Sequence, residues 1–412
     1  MASTVKTPAS PPHSRPPVAT DPDFGRLVVF LTLAGFATAL NIRITDPLLP
    51  PLAAEFSSTP GKVAIVAVFY AVAHGFMQLA GGPFGDRYGK LRVITIAAYA
   101  AACATAATAL AGSIPELAVL RFFAGATAAV VVPLAFAWIG DVVAYEKRQV
   151  IIARMFSGAM LGTMTGQAVS GIFADFFGWR AVFLLTGAIF LCAAAGLTLA
   201  RGLQGGRPAR TSNPGFLTEL ATPFRLLRLT EPRFVLGACA AEGFFVMSAS
   251  TFLGAYLHDR FGLSYSQIGL ALALFGAGGL FYTLNAGWLI RRLSERALVT
   301  SGGLIFAACF FAVAFVPVWQ AVPVLLFVCG ITLLMLHNTL QLRASQMAPE
   351  TRGAAMSAFA ASFFIGQLAG VAVGGPIYDH FGGPFLFIAG ALGFAAVTLI
   401  YQAKLKAFAT HS

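Results

Sequence analysis

Apolar stretches of about twenty residues recur along nearly the whole chain, separated by short connections of charge, glycine and proline. That pattern leaves little choice of fold. Each stretch is long enough to cross about 30 Å of hydrocarbon as a helix, and in lipid a helix satisfies its backbone hydrogen bonds internally. The runs place spans at 27–50, 62–85, 92–112, 115–140, 149–174, 179–201, 234–257, 265–290, 297–318, 321–347, 352–377 and 382–403. Charge supports the same reading. Only 10% of the residues are charged, against about 25% in soluble domains.

The cations decide the orientation. The net charge is +11, and membrane topology accounts for it, because cytoplasmic connections accumulate Lys and Arg. With a cytoplasmic N-terminus, all but five of the 27 cations fall in tails, cytoplasmic connections or the cytoplasmic ends of spans. Lys62, Arg180 and Arg260 lie on the opposite side, and Arg43 and Arg121 lie inside spans. Both termini are therefore expected in the cytoplasm. No stacking platform or basic recognition helix is present, which argues against nucleic acid as a partner. The five cysteines (Cys103, Cys192, Cys239, Cys309, Cys329) sit in apolar segments without C-x-x-C spacing, as core residues would.

The chain repeats itself. At an offset of 204 residues, Glu146, Arg148, Gly162, Gly166, Gly171, Asp175 and Gly178 match Glu350, Arg352, Gly366, Gly370, Gly375, Asp379 and Gly382. The fold class expected is an all-α membrane protein of twelve transmembrane helices in two six-helix pseudo-symmetric halves. The halves are 27–201 and 234–403, joined by an arginine-bearing cytoplasmic linker at 202–233. A proline-rich disordered tail, 1–26, and a short tail, 404–412, complete the chain.

Between the second and third spans the sequence reads Gly82-Pro-Phe-Gly-Asp86-Arg87-Tyr-Gly89-Lys90-Leu-Arg92. Gly82 and Gly89 allow a tight turn or close helix approach. Asp86 can accept hydrogen bonds from a facing helix N-terminus or pair with an arginine. This loop resembles the cytoplasmic latch of the major facilitator superfamily, and a decayed copy stands at Gly287–Leu293. Two six-helix halves with a substrate site between them near the midplane are the architecture that the resemblance implies.

Three further elements resemble the twelve-helix drug:proton antiporters of that superfamily. Thr45-Asp46-Pro47-Leu-Leu-Pro50 is similar to the span-one T-D-x-x-x-P element, whose acid takes part in coupling or cation recognition. Arg121-Phe-Phe-Ala-Gly125 is similar to the span-four R-x-x-x-G element, whose arginine is tied to proton transfer. Gly158, Gly162, Gly166 and Gly171 resemble the glycine motif of span five. That motif departs from the pattern, with Gly166-Gln167 and Ser170-Gly171 where Gly-Pro and Gly-Gly stand in the family.

Charges at membrane depth are costly and mark function by default. Asp46, Arg121 and Glu242 are the candidates for proton coupling. Arg43, three residues from Asp46, can pair with it. Histidines titrate in the useful range, so His74 and His337 join Arg43, Gln167, Asn338, Gln341 and Gln367 as candidate cavity residues. The function expected is a proton-coupled carrier, most simply an exporter of small amphipathic compounds working by alternating access. An importer or exchanger of a metabolite such as an organic anion, attracted by Arg43 and Arg121, is the alternative. No H-E-x-x-H spacing supports a metal enzyme, and no G-x-x-x-x-G-K-[ST] loop supports ATP use. The expected partners are a small-molecule substrate, protons and lipid, with no cofactor. The expected setting is a monomer in a bacterial inner membrane.

Overall fold

The structure, a computed structural model, describes residues 22–143, 145–201, 225–348 and 352–409. The first 21 residues, most of the linker (202–224), Glu350 and the last three residues lie outside the described residues. Ten helices are long and apolar enough to cross a membrane. One of them, Ala355–Lys404, has 50 residues, or about 75 Å of helix, more than twice the hydrocarbon core. A kink at Gly382, where φ is 78°, divides it into two spans. The helix Tyr145–Phe177 completes twelve. It is less apolar than the other spans, and its Gly158, Gly162, Gly166 and Gly171 lie against partner helices.

Four spans are interrupted among the described residues, span two only at Ala64, between Pro60–Val63 and Ile65–Tyr88. Span one is helical over Pro22–Arg43, turns through residues 44–48, and resumes at Leu49–Glu55. The break falls where Pro47 disfavours helical backbone at Asp46. Span four is Ile114–Ala128 followed by Val131–Val142. Span seven is Thr230–Ser250 followed by Leu253–Phe261. Its break matches that of span one at the 204-residue offset. Span nine ends at Val313, five residues before the sequence-based boundary.

Alternating spans put both ends of the described chain and the 88–90 loop on one face, here the tail face. The opposite, hairpin face carries the short turns at 178 and 382, where Gly178 and Gly382 both take positive φ. The exterior is apolar, with Leu199 77% and Leu284 73% exposed. Polar groups lie inside instead, including Asn41, Arg43, Asp46, His74, Arg121, Gln167 and Glu242. The sorting by burial seen in water is inverted by a lipid surround. Cys239, Cys309 and Cys329 are buried, but Cys103 and Cys192 are exposed, contrary to the expectation of core positions.

The repeat is visible in contacts as well as residues. A Cβ on Gly162 would strike the Phe36 carbonyl, and one on Gly366 the Ala240 carbonyl. Likewise Gly166 lies against the Leu40 backbone, and Gly370 against Phe244. Each pair is related by the 204-residue offset. Spans five and eleven thus lie backbone to backbone on spans one and seven. Gly366→Val is expected to destabilise the protein by about 1–3 kcal/mol, since an overpacked contact cannot relax against main chain. Thermal unfolding in detergent would read this as a lowered melting temperature.

Candidate functional site

The buried polar side chains form three groups. The first lies at the break in span one. The Arg43 guanidinium pairs with the Asp46 carboxylate at 3.3 Å, and Gln167 of span five donates to the same carboxylate at 3.4 Å. Arg43 also reaches across to the second half. It lies 3.3 Å from the Met247 sulfur on span seven and over the Phe275 ring of span eight at 5.8 Å. Gly254, beyond the break in span seven, packs on the Asp46 carbonyl. Asp46 and Arg43 therefore sit where the two halves meet.

The second group surrounds Arg121, which is 0% exposed. Its guanidinium donates to the Asn41 side-chain oxygen at 2.6 Å and to the Asn41 carbonyl at 3.0 Å. Asn41 in turn donates to Thr105. The face of the Tyr70 ring lies 4.0 Å from the guanidinium, a cation–π contact that helps offset burial of the charge. Gly125, one turn beyond Arg121, makes this possible, because any Cβ there would strike the Tyr70 carbonyl. His74 stacks on Tyr70 at 5.5 Å and touches Phe364 of span eleven at 4.7 Å.

The third group is in the second half. Glu242 is 0% exposed, and its two oxygens lie 3.0 and 3.2 Å from His337 Nδ1. The Phe359 and Phe363 rings flank the imidazole. Glu242 has no cation near it in sequence, and its partner stands 95 residues further on. Removing one member of such a pair strands the other in a dry site. His337→Leu is expected to cost about 3–5 kcal/mol, and Glu242→Met with His337→Leu to recover most of it. Melting temperatures of the single and double variants check this.

Of the remaining candidates, Asn338 hydrogen-bonds Tyr282 of span eight. Gln341 and Gln367 are half-buried on spans ten and eleven, and neither joins the groups above.

In the loop at 82–92 the acid meets a lysine, where an arginine or a facing helix N-terminus was expected. Asp86 pairs with Lys90 at 3.2 Å, and Lys90 with Asp141 of span four at 2.6 Å. These contacts stay within the first half. Gly82 has open space around it, so close approach does not explain it here. Gly85 is the packed glycine of the motif, lying against Leu134. Gly89 takes φ 90° and turns the chain between spans two and three. Arg87 lies over Tyr88, and Arg92 is exposed.

Sequence reasoning registered Asp175 and Asp379 as a repeated pair but gave them no role. Both cap a helix of the opposite half. The Asp175 carboxylate accepts from the Tyr265 and Ser266 amides that open span eight, at 3.1 and 2.6 Å. Asp379 accepts from the Gly61 amide at 3.0 Å and the Thr59 hydroxyl at 2.6 Å, at the start of span two. Gly171 also packs on the Tyr265 carbonyl, as Gly375 does on Gly61. On the hairpin face the halves are therefore joined at two pseudo-equivalent points.

Known proteins share this organisation. The family model described as Major Facilitator Superfamily matches residues 31–362 and again 250–407. An uncharacterized MFS-type transporter of Bacillus subtilis, YceJ, is 26% identical over 90% of this chain and 93% of its own. The chloramphenicol resistance protein of Streptomyces lividans is 28% identical over 81% of this chain and 84% of its own. Among solved structures, the nucleoside transporter NupG, crystallised as a point mutant, superposes with a TM-score of 0.76 at 12% identity, covering 92% of this chain and 99% of its own. The span repeat, the paired halves and the family match agree, and the chain belongs to the major facilitator superfamily of membrane transporters.

Proposed function

We propose that the protein is a proton-coupled exporter of small amphipathic compounds that works by alternating access. The observation that carries this reading is the Arg43–Asp46 pair at the break of span one. An acid held there, bonded to span five and touching spans seven and eight through Arg43, is placed to exchange a proton as the halves rock. The similarity to a chloramphenicol resistance protein favours export over uptake. The cation count supports both termini in the cytoplasm of a bacterial cell, and a relative is described as an inner membrane transport protein. The chain acts as a monomer. Its latch loop, 82–92, serves the cytoplasmic side of the cycle.

A second reading, a carrier of organic anions, draws on Arg121. No carboxylate hydrogen-bonds this buried guanidinium among the described residues. One experiment separates the two. A panel of lipophilic toxicants would be tested in a bacterial host lacking its own efflux pumps, with empty vector, wild type and Asp46→Asn. Protection by the wild type that collapses when a protonophore removes the gradient is the expected result. Absence of protection, together with uptake of organic anions, would replace the first reading with the second.

A further inference from the structure

Span two carries a polar stripe whose ring faces pack on spans four and eleven but whose polar atoms that packing leaves unused. Tyr70, His74 and Gln78 stand four residues apart, on one face of the helix Ile65–Tyr88. They cover about 12 Å of depth. Tyr70 Oη, His74 Nδ1 and Gln78 Oε1 are all buried, and none has a hydrogen-bond partner among the described residues. Arg121 Nε, beside Tyr70, is in the same condition. So are Thr45 Oγ1 and Gln167 Oε1, which flank Asp46 at the other end.

Each unmatched polar atom in a dry interior costs about 1–3 kcal/mol. Six of them along one route through a membrane protein would be a heavy and pointless penalty. Buried water, which typically makes about three hydrogen bonds to such groups, removes it. A row of waters joined to ionisable side chains is also a path along which protons hop.

The surroundings define this path. His74 is faced by Tyr70 on its own helix, by Arg121 and Gly125 of span four, and by Phe364 of span eleven. Phe364 and Gly75 close the stripe off from the second half. Asp46 lies within electrostatic reach of Arg121. At the other end, Gln78 stands one turn from Gly82 and the loop on the tail face.

We infer that Tyr70, His74 and Gln78 hold a file of internal water that conducts the coupled proton between the Asp46–Arg121 region and the tail face. This rests on the proton-coupled reading, since a carrier driven otherwise has no need of the path. The proton leaves the Asp46 carboxyl, passes over water and the His74 imidazole, and enters the aqueous phase on the tail face. No group is consumed. Gln78 and Tyr70 act as positioning residues, holding water by hydrogen bonds.

Two measurements test it on the full chain. The first is radiolytic labelling in oxygen-18 water, which oxidises buried side chains only where bound water adjoins them. Tyr70 and His74 are expected to label several-fold faster than Tyr282, which is equally buried but bonded to Asn338. Equal labelling would overturn the water file. The second uses proteoliposomes with an internal pH dye and ethidium as the transported probe. His74→Leu is expected to slow ethidium-driven proton movement roughly a hundredfold, Gln78→Leu to slow it less, and His74→Gln to restore part of the rate by holding water. Wild-type vesicles that move ethidium without protons would sink the proton-coupled reading and the path with it. Wild-type proton movement that survives both leucine variants would sink the path alone. Loss in His74→Leu without recovery in His74→Gln would mean that the histidine only packs.

Discussion

Asp46→Asn is expected to abolish transport while the protein still inserts and folds. Asparagine keeps the size of the side chain and can still accept from Arg43 and Gln167, so the helix break survives. It cannot release a proton. The substitution also leaves Arg43, which is itself buried, without its counter-ion. That should lower stability by about 1–3 kcal/mol. A second variant separates the two effects. Arg43→Gln combined with Asp46→Asn replaces the ion pair by a neutral one and is expected to regain much of the lost melting temperature. If Asp46 carries the coupled proton, the double variant remains inactive although stable. Transport by the double variant would show that the pair is only a structural tie.

The second large effect concerns the joints on the hairpin face. Alanine at both Asp175 and Asp379 is expected to shift the protein toward a state open on that face. Each carboxylate caps a helix start of the opposite half with two hydrogen bonds, and such caps are worth about 0.5–1 kcal/mol at exposed sites. Both together give about 1–2 kcal/mol, or roughly a 5- to 30-fold change in the balance of conformations. In the proposed cycle the halves rotate as bodies, and the caps then open together. The double variant should therefore exceed either single one, and thiol labelling of a cysteine placed at Gly171 or Gly375 would be unsuitable, as neither site tolerates a side chain. Labelling of Ser264→Cys, at the N-cap of span eight, reports the opening. Equal reactivity in wild type and double variant would sink the idea.

The Asp175 joint also carries a pH dependence. Burial would push its carboxyl up, but hydrogen bonds from Ser266 and Tyr265 outweigh this and hold it below the usual carboxylate range. A depressed value means that the closed face is stabilised fully above about pH 4, the ordinary range of the group. That stabilisation is lost as pH falls through the lowered value. Labelling of Ser264→Cys, measured against a solvent-exposed control cysteine at each pH because only the thiolate reacts, should rise at acid pH, and less so once Asp175 is alanine.

Much of this was readable beforehand. Span positions followed from apolar run length, because a lipid-crossing helix must be about twenty residues long whatever it touches. The break at Pro47 followed from local backbone sterics. The repeat predicted two related halves, and the same offset relates their contacts. Gly125 stands one turn beyond Arg121 in the sequence, and the Tyr70 backbone occupies the space that its missing side chain leaves. Gly82 allows close approach in the same way and has no such neighbour.

Pairings were another matter. His337 meets Glu242 across 95 residues, and Asn41 meets Arg121 across 80. With 58% of the residues hydrophobic, most faces of a span look alike in sequence, so the rotation of each helix about its axis leaves no clear periodic signal. Asp86 was free to face another half or its own loop, and only the packed arrangement set it against Lys90. The sequence alone determined that the chain crosses the membrane twelve times as two related bundles, since length, hydropathy and repetition are local or additive properties. The tertiary structure decided which buried charges meet and where the halves are joined. Those outcomes depend on helix rotation and docking, which arise only when all the spans pack at once.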